Sequence, residues 1–291
     1  MIAVNKIRLK SIFSHAKTEY IMWVTNPRII IVGVLLIFMK YLSIDPLLER
    51  SEKYGESLNV FEPFISIGNS TLLIMLIPCT FLVLISDYPT INGNTLFFVH
   101  RIGKINWFLG QLVFIVCASL SYLFFILIAS ILFSNGSISA NWSNTITKYN
   151  SSFPNESNNY TSQLIPSNLY NQLSLSSVLL YTFFFILSYL IIIALILSFF
   201  KLINAHSFGL FIVFCVMGIG TALCFIKTKV MWLFPVANTL IWRHFDRILS
   251  TRVFPIYYSI LYFISLILFL LICNIIALSK IQFININQVG E

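Results

Sequence analysis

The chain has 291 residues, of which 58% are hydrophobic and only 10% are charged, and its formal net charge is +8. A soluble domain carries roughly a quarter charged residues, so this chain has too few charges to cover a water-facing surface. The composition excludes a soluble globular protein, and the positive charge favours anchoring at a membrane face over nucleic-acid binding.

Residues 1–27 are predicted to form an amphipathic helix that lies on the membrane. Apolar side chains recur at helical spacing at Leu9, Ile12, Phe13, Ala16, Tyr20 and Trp23. Positive charge comes from Lys6, Arg8, Lys10 and Lys17. This pattern is typical of an interfacial helix on an anionic leaflet. The mixture of polar and apolar residues does not suit a cleavable signal peptide.

Residues 28–280 are predicted to form an all-α transmembrane domain with about six spans of the usual length. The apolar stretches are 29–42, 64–85, 107–133, 177–200, 208–226 and 255–278. Lys40 interrupts the first stretch, so its amine must reach the outer interface. A kink is expected at Pro78 in the second stretch.

An even number of spans places both termini on one side of the membrane. Basic residues favour the cytoplasm for that side: besides the N-terminal group, they are Arg28, Arg101, Lys104, Lys201 and Lys280. An opposing basic group lies between the fifth and sixth spans, at Lys227, Lys229, Arg243, Arg247 and Arg252. We follow the N-terminal group, which usually dominates orientation, and expect residues 281–291 to form a cytoplasmic tail.

Two connections on the opposite side are long. Residues 134–176 form a polar loop rich in Asn and Ser, and we interpret its sequons at Asn141, Asn150, Asn155 and Asn159 as chance matches. Residues 227–253 are too long for a tight turn, and apolar positions between 240 and 249 alternate helically with charged ones. This insert is predicted to be a short re-entrant or interfacial helix.

Enzyme signatures are missing from the sequence. Gly103-Lys104 lacks the upstream glycine and following hydroxyl of a P-loop, and the spans contain no Asp or Glu. His15, His100, His206 and His244 are far apart in sequence, so we interpret them as structural rather than as metal ligands. The five cysteines lie in apolar stretches and are interpreted as small hydrophobic residues. We therefore expect no catalytic residues, no metal and no cofactor in this chain.

The connection between the second and third spans contains a predicted short helix. Asn94 or Thr95 can cap it, and Gly103 is placed to end it. Its adjacent Phe97 and Phe98 need a surface that buries them. That surface is either the lipid headgroup layer or a groove in a partner protein.

This order of parts resembles the permease subunit of ABC-2 type exporters, and the most specific stretch is DYP…G…L…RIGKINWFLGQ, residues 87–111. The resemblance implies a cytoplasmic coupling helix that docks on a separate ABC ATPase. Phe97 and Phe98 would anchor it, and Arg101 and Lys104 would form ion pairs. The contact set implied by the resemblance is Asn94, Phe97, Phe98, His100, Arg101, Gly103 and Lys104. The loop at 134–176 is longer than is usual in that family.

The same resemblance implies a function and a location. The chain would export an amphipathic substrate across a bacterial plasma membrane, with ATP and magnesium bound by partner ATPase subunits. It would work as a homodimer or as a heterodimer with a second permease, among membrane lipids and without nucleic acid. The alternative is a non-transporting sensor or immunity protein that binds peptides through its external loop. A membrane-embedded enzyme is a third hypothesis, disfavoured by the missing acid, base and metal-ligand clusters.

A substrate path is predicted along one face of the second span. Ser66, Asn69 and Ser70 share a helical face, and Thr80 lies roughly below them. Polar groups in lipid must find partners, so this face is expected to point inward. It points either to a cavity or to neighbouring helices.

Overall fold

The computed structural model describes residues 7–91, 99, 101–153, 155, 160–246 and 251–280, with the backbone alone at 161 and 162. These residues form helices and connections, and the described part of the chain contains no β-strand. The all-α prediction is therefore confirmed. Residues 1–6 and 281–291 lie outside the described residues.

The longer helices are numbered here in chain order. They are α1 (Leu9–Val24), α2 (Ile30–Met39), α3 (Asp45–Tyr54), α4 (Glu62–Asn69), α5 (Leu73–Leu84), α6 (Lys104–Ser134), α7 (Leu175–Leu202), α8 (His206–Ile226) and α9 (Ile256–Lys280). Shorter helices are Pro27–Ile29, Lys40–Ile44, Asn144–Thr147, Tyr149–Ser152, Tyr160–Leu164, Ser167–Tyr170, Lys229–Leu233, Pro235–Thr239 and Ile241–His244.

Several helices are long and apolar enough to cross a membrane. Among the described residues there are five, namely Pro27–Tyr54, α6, α7, α8 and α9, or up to six if the bent pair of α4 and α5 is one span. The predicted spans at 107–133, 177–200, 208–226 and 255–278 match α6 to α9 closely. The first span is longer than predicted, because a π-helical turn at Lys40–Ile44 joins α2 to α3 without a break. Lys40 Nζ pairs there with Asp45 Oδ1 at 2.6 Å.

The second span was predicted to be a single helix with a kink at Pro78, and this prediction is wrong. The chain bends by 85° between α4 and α5, and Pro78 lies inside α5. Ser70 ends α4 in an extended conformation with φ −81° and ψ 123°. At this break the Asn69 side-chain oxygen and main-chain carbonyl bond to the 227–253 insert instead of continuing α4. The main-chain carbonyl accepts a bond from Trp242 Nε1 at 2.9 Å.

One end of the helical bundle, which we call the basic end, gathers α1, the start of α6 and the final turns of α7 and α9. A small apolar cluster joins these parts, and it contains Val99, Trp107, Phe108, Leu202, Ala277 and Leu278. The main-chain N–H of Arg8 donates to Asn106 Oδ1 at 3.1 Å. Arg28 reaches the same end by pairing with Asp87 at 2.6 Å.

The other end, which we call the loop end, carries the two long connections. The described residues between α6 and α7 include four short helices, from Asn144–Thr147 to Ser167–Tyr170, and Ser137 exchanges main-chain hydrogen bonds with Leu58 and Val60. Asn168 ties this loop to the 227–253 insert by donating to the carbonyls of Trp242 and Phe245. The two connections therefore form one cap over the bundle.

The 227–253 insert differs from its prediction. Its helical turns lie earlier, between Lys229 and His244, whereas Phe245 and Asp246 are not helical, and 247–250 lie outside the described residues. Val236, Ala237, Leu240 and Ile241 are all fully buried. The segment is enclosed by α5, α7 and α8. Its shape is therefore set by packing on all sides, and the helical pattern of one apolar face did not predict it.

Candidate functional site

The predicted coupling segment is only partly described. Asn94, Phe97, Phe98 and His100 lie outside the described residues. Arg101 is exposed, and Lys104 begins α6.

Gly103 ends the turn that precedes α6. Its N–H donates to the Val99 carbonyl at 2.9 Å, and its φ of +86° is one that side-chain-bearing residues rarely adopt. The chain reverses here so that Val99 folds back on the start of α6.

Val99 and Ile102 fix this segment to the bundle. Val99 is 5% exposed and belongs to the apolar cluster of the basic end, and Ile102 packs against the same cluster. The cluster includes the last residues of α7 and α9. A displacement of Val99 and Ile102 would therefore disturb the packing of α6, α7 and α9 together.

The predicted inner-leaflet helix corresponds to α1. Ile12 and Ala16 are buried against α6, whereas Leu9 and Phe13 remain exposed. Gly110 allows this close approach, because an added Cβ would lie 2.7 Å from His15 Cδ2.

The lysines of α1 and the arginine at its N-cap lie on the exposed surface, and Trp23 lies in its last turn. Arg8, Lys10 and Lys17 are exposed, Trp23 is half-buried against Phe114, and Lys6 lies outside the described residues.

The predicted substrate path is occupied by hydrogen bonds within the protein. Ser66 bonds to Ser43 at 2.7 Å, and Asn69 Nδ2 donates to the Ile65 carbonyl at 2.9 Å and to Thr182. Ser70 Oγ lies 3.5 Å from the Leu73 N–H that it accepts.

Thr80 hydrogen-bonds Tyr122 and main-chain carbonyls of its own helix. The polar face of the second predicted span points inward, as expected, and its side chains hydrogen-bond to helices. Of the two predicted surroundings, the hydrogen bonds favour neighbouring helices over a cavity.

A buried polar group at the basic end was missed by the sequence analysis. Glu19 is 8% exposed and its Oε2 accepts a bond from Thr90 Oγ1 at 3.3 Å. His15 lies one turn earlier, with Nε2 3.9 Å from Glu19 Oε1 and 3.1 Å from Gln111 Nε2. Burial raises the pKa of the Glu19 carboxyl and lowers the pKa of His15. The i, i+4 spacing was visible in the sequence, but Gln111 comes from a distant helix.

A second buried carboxylate, Glu62, organises the loop end. Glu62 accepts bonds from the N–H groups of Asn59 at 2.9 Å and Ser143 at 2.7 Å, and from Ser143 Oγ at 2.9 Å. Beside it lies an open, polar cavity of about 290 Å³, lined by Glu56, Ser57, Asn59, Ser137, Ser139, Trp142, Ser143 and Asn144. Sequence analysis missed this site because its halves are about 80 residues apart.

Arg50 holds the same loop from α3. Its guanidinium lies 4.2 Å from the centre of the Tyr149 ring, and Nη2 donates to Asn150 Oδ1 at 2.9 Å. The long polar loop is thus fixed by a buried carboxylate on one side and a buried cation on the other.

No family model, no characterised protein and no solved structure matches this chain. Among the described residues, no group of three or more His, Cys, Asp or Glu side chains is arranged to hold a metal ion.

Proposed function

We propose that this chain is the transmembrane subunit of an ATP-driven exporter of the ABC-2 type. It crosses the plasma membrane of a bacterium in six spans, with both termini in the cytoplasm. A separate ABC ATPase binds ATP and magnesium and drives the outward movement of an amphipathic substrate. The chain pairs with a second copy or with another permease.

The observation that carries this proposal is the anchoring of the connection before α6. A cytoplasmic segment that receives force from an ATPase must be joined firmly to the helices that move. Val99 and Ile102 join this segment to Trp107 on α6, Leu202 on α7 and Leu278 on α9. Because protein interiors are close-packed, a push on this segment is transmitted rather than absorbed.

The charge distribution supports the orientation. The basic end carries Arg8, Lys10, Lys17, Arg28, Arg101, Lys104, Lys201 and Lys280. The basic residues nearest the first span dominate orientation, and they lie at this end. The loop end also carries basic residues, but Lys40 pairs with Asp45 and Arg50 is buried against Tyr149.

The orientation can be tested by labelling with a membrane-impermeant maleimide. The native cysteines are replaced by serine, and either Arg101→Cys or Lys148→Cys is introduced; both positions are exposed, at opposite ends of the bundle. We expect Lys148→Cys to be labelled in intact cells and Arg101→Cys only in inside-out vesicles. The reverse pattern would contradict an ATPase-facing role for the 86–106 connection.

Coupling can be tested by first asking whether an adjacent reading frame encodes a P-loop ATPase, and then by pulling down the chain together with that ATPase. We predict that Phe97→Asp abolishes association with this ATPase while membrane insertion is unchanged. Phe153→Asp is the matched control, because Phe153 lies at the loop end beside Lys53. Equal recovery of the ATPase with both variants would remove the exporter proposal.

The second candidate function is a non-transporting sensor or immunity protein. The polar cavity beside Glu62 favours it, because the cavity lies in a loop held from both sides and would suit a polar ligand. Deletion of residues 141–162 distinguishes the two functions. A sensor loses its response, whereas an exporter retains ATP-dependent export.

A further inference from the structure

A small cavity at the basic end is walled by aromatic rings. It has a volume of about 150 Å³ and lies where α1 meets the end of α5 and the start of α6. Trp23, Tyr88 and Phe114 contribute to its wall. The Trp23 ring lies edge-on to Phe114 with centroids 6.5 Å apart, and Tyr88 lies 5.8 Å from Phe114. Three rings therefore meet around one small space.

The carboxylate of Glu19 lines the same cavity. Within the described part of the chain, no lysine or arginine lies within ion-pair distance of it. Its near neighbour His15 has Nε2 3.9 Å from Glu19 Oε1, and burial lowers the pKa of His15, which disfavours its charged form. A buried carboxylate without a cation is costly, so this position favours a positively charged ligand.

The rim of the cavity carries an ion pair, whose arginine could meet the negative part of a ligand. Asp87 lines the cavity and pairs with Arg28 Nη1 at 2.6 Å, and both side chains are largely open to the surroundings. Met22, another lining residue, is 50% exposed. A ligand can thus combine a cation inside, an anion at Arg28 and an apolar part along α1.

We propose that this cavity binds a primary alkylammonium group between the Glu19 carboxylate and the rings of Trp23, Tyr88 and Phe114. Cations are attracted to the faces of aromatic rings, most strongly to tryptophan. The ammonium also donates hydrogen bonds to the Glu19 carboxylate. An aminophospholipid headgroup suits the site best, because its phosphate would meet Arg28. The site does not depend on the exporter proposal.

The test is isothermal titration of the purified full chain in detergent. The probes are dihexanoyl phosphatidylethanolamine, n-butylammonium, and dihexanoyl phosphatidylglycerol, which has the same tails without an amine. We expect the two amines to bind and phosphatidylglycerol to bind much more weakly. Binding of phosphatidylethanolamine alone identifies the headgroup as the ligand, whereas equal binding of butylammonium shows that a free amine suffices.

Glu19→Gln removes the charge and keeps an acceptor for Thr90. We expect it to weaken binding of phosphatidylethanolamine by at least about tenfold, because charge-assisted hydrogen bonds are the strong ones. Glu52→Gln, on the exposed side of α3 at the loop end, is the matched control and should bind as the wild type does.

The proposal is overturned if Glu19→Gln binds the amines as tightly as the wild type. It is equally overturned if the wild type binds neither amine, or binds phosphatidylglycerol as well as phosphatidylethanolamine. If Glu19→Gln fails to fold, Trp23→Phe decides. It should weaken amine binding roughly two- to fivefold through the poorer cation–π contact, and unchanged affinity overturns the site.

Discussion

Asn69 and Trp242 are 173 positions apart in sequence and are joined by a hydrogen bond of 2.9 Å from the indole Nε1 to the Asn69 main-chain carbonyl. The Asn69 side chain completes the junction, since its Oδ1 accepts from the Ile241 N–H at 2.9 Å. This pair fixes the 227–253 insert to the break between α4 and α5.

We predict that Asn69→Leu destabilises the protein by about 1–3 kcal/mol, because it leaves the buried Ile241 N–H without an acceptor. The measurement is thermal unfolding in detergent. Ser70→Ala is the matched control, since the bond that Ser70 Oγ accepts from the Leu73 N–H is long at 3.5 Å, and its neighbour Tyr160 keeps a bond to the Leu42 carbonyl. This change should alter the melting temperature little. Equal melting of the two variants would contradict the role given to Asn69.

Glu62 is predicted to hold the 134–176 loop in place. Glu62→Ala removes the acceptor of three donors from Asn59 and Ser143, so a protease should cut the loop faster in the detergent-solubilised protein. Glu62→Gln, which keeps one carbonyl oxygen, should lie between that variant and the wild type. Glu49→Ala, on an exposed part of α3, should be cut as the wild type is; loss of protection there as well would show a general effect of charge.

Gly110 is predicted to set the distance between α1 and α6. A side chain there meets His15 Cδ2 at 2.7 Å and the Ile12 carbonyl at 3.2 Å, so Gly110→Val should push α1 away at a cost of about 1–3 kcal/mol. Tryptic cleavage after Lys17 in the detergent-solubilised protein measures the displacement. Gly218→Val is the control, because nothing lies within 4 Å of an added Cβ at that position. Similar cleavage of both variants would contradict close packing of α1.

His244 is predicted to make the stability depend on pH. Burial lowers its pKa from 6.5 to about 4, although its hydrogen bond with the Phe254 carbonyl opposes the shift. Between these values the unfolded chain binds more protons than the folded chain, so stability is present above pH 6.5 and is lost as the pH falls towards 4. The loss at pH 5 should be about 2 kcal/mol.

The comparison that isolates this effect is His244→Asn, whose carboxamide can donate to the same carbonyl. Melting temperatures of both proteins are measured at pH 7.5 and at pH 5, so that effects of carboxylates common to both cancel. The wild type should lose more stability than the variant. An equal loss would show that His244 is not the titrating group.

The sequence predicted the later spans well, because the properties that define them lie within each segment. Residues in α6 to α9 are apolar over a whole membrane thickness, and a helix satisfies its own main-chain groups in lipid. No contact with another helix is needed to place such a segment. The break after Asn69 was not predictable in this way, because its cause is a side chain and a main chain more than 170 positions away.

The sequence by itself determined that the chain is too apolar for a soluble domain, that its structure is helical and where most of its long helices begin and end. Only the tertiary structure decided which polar residues are buried. Glu19 and Glu62 look like ordinary interfacial charges until Gln111 and Ser143 are brought beside them. The physical reason is that hydropathy and main-chain hydrogen bonding act within one segment, whereas the environment of a charge depends on every segment that folds around it.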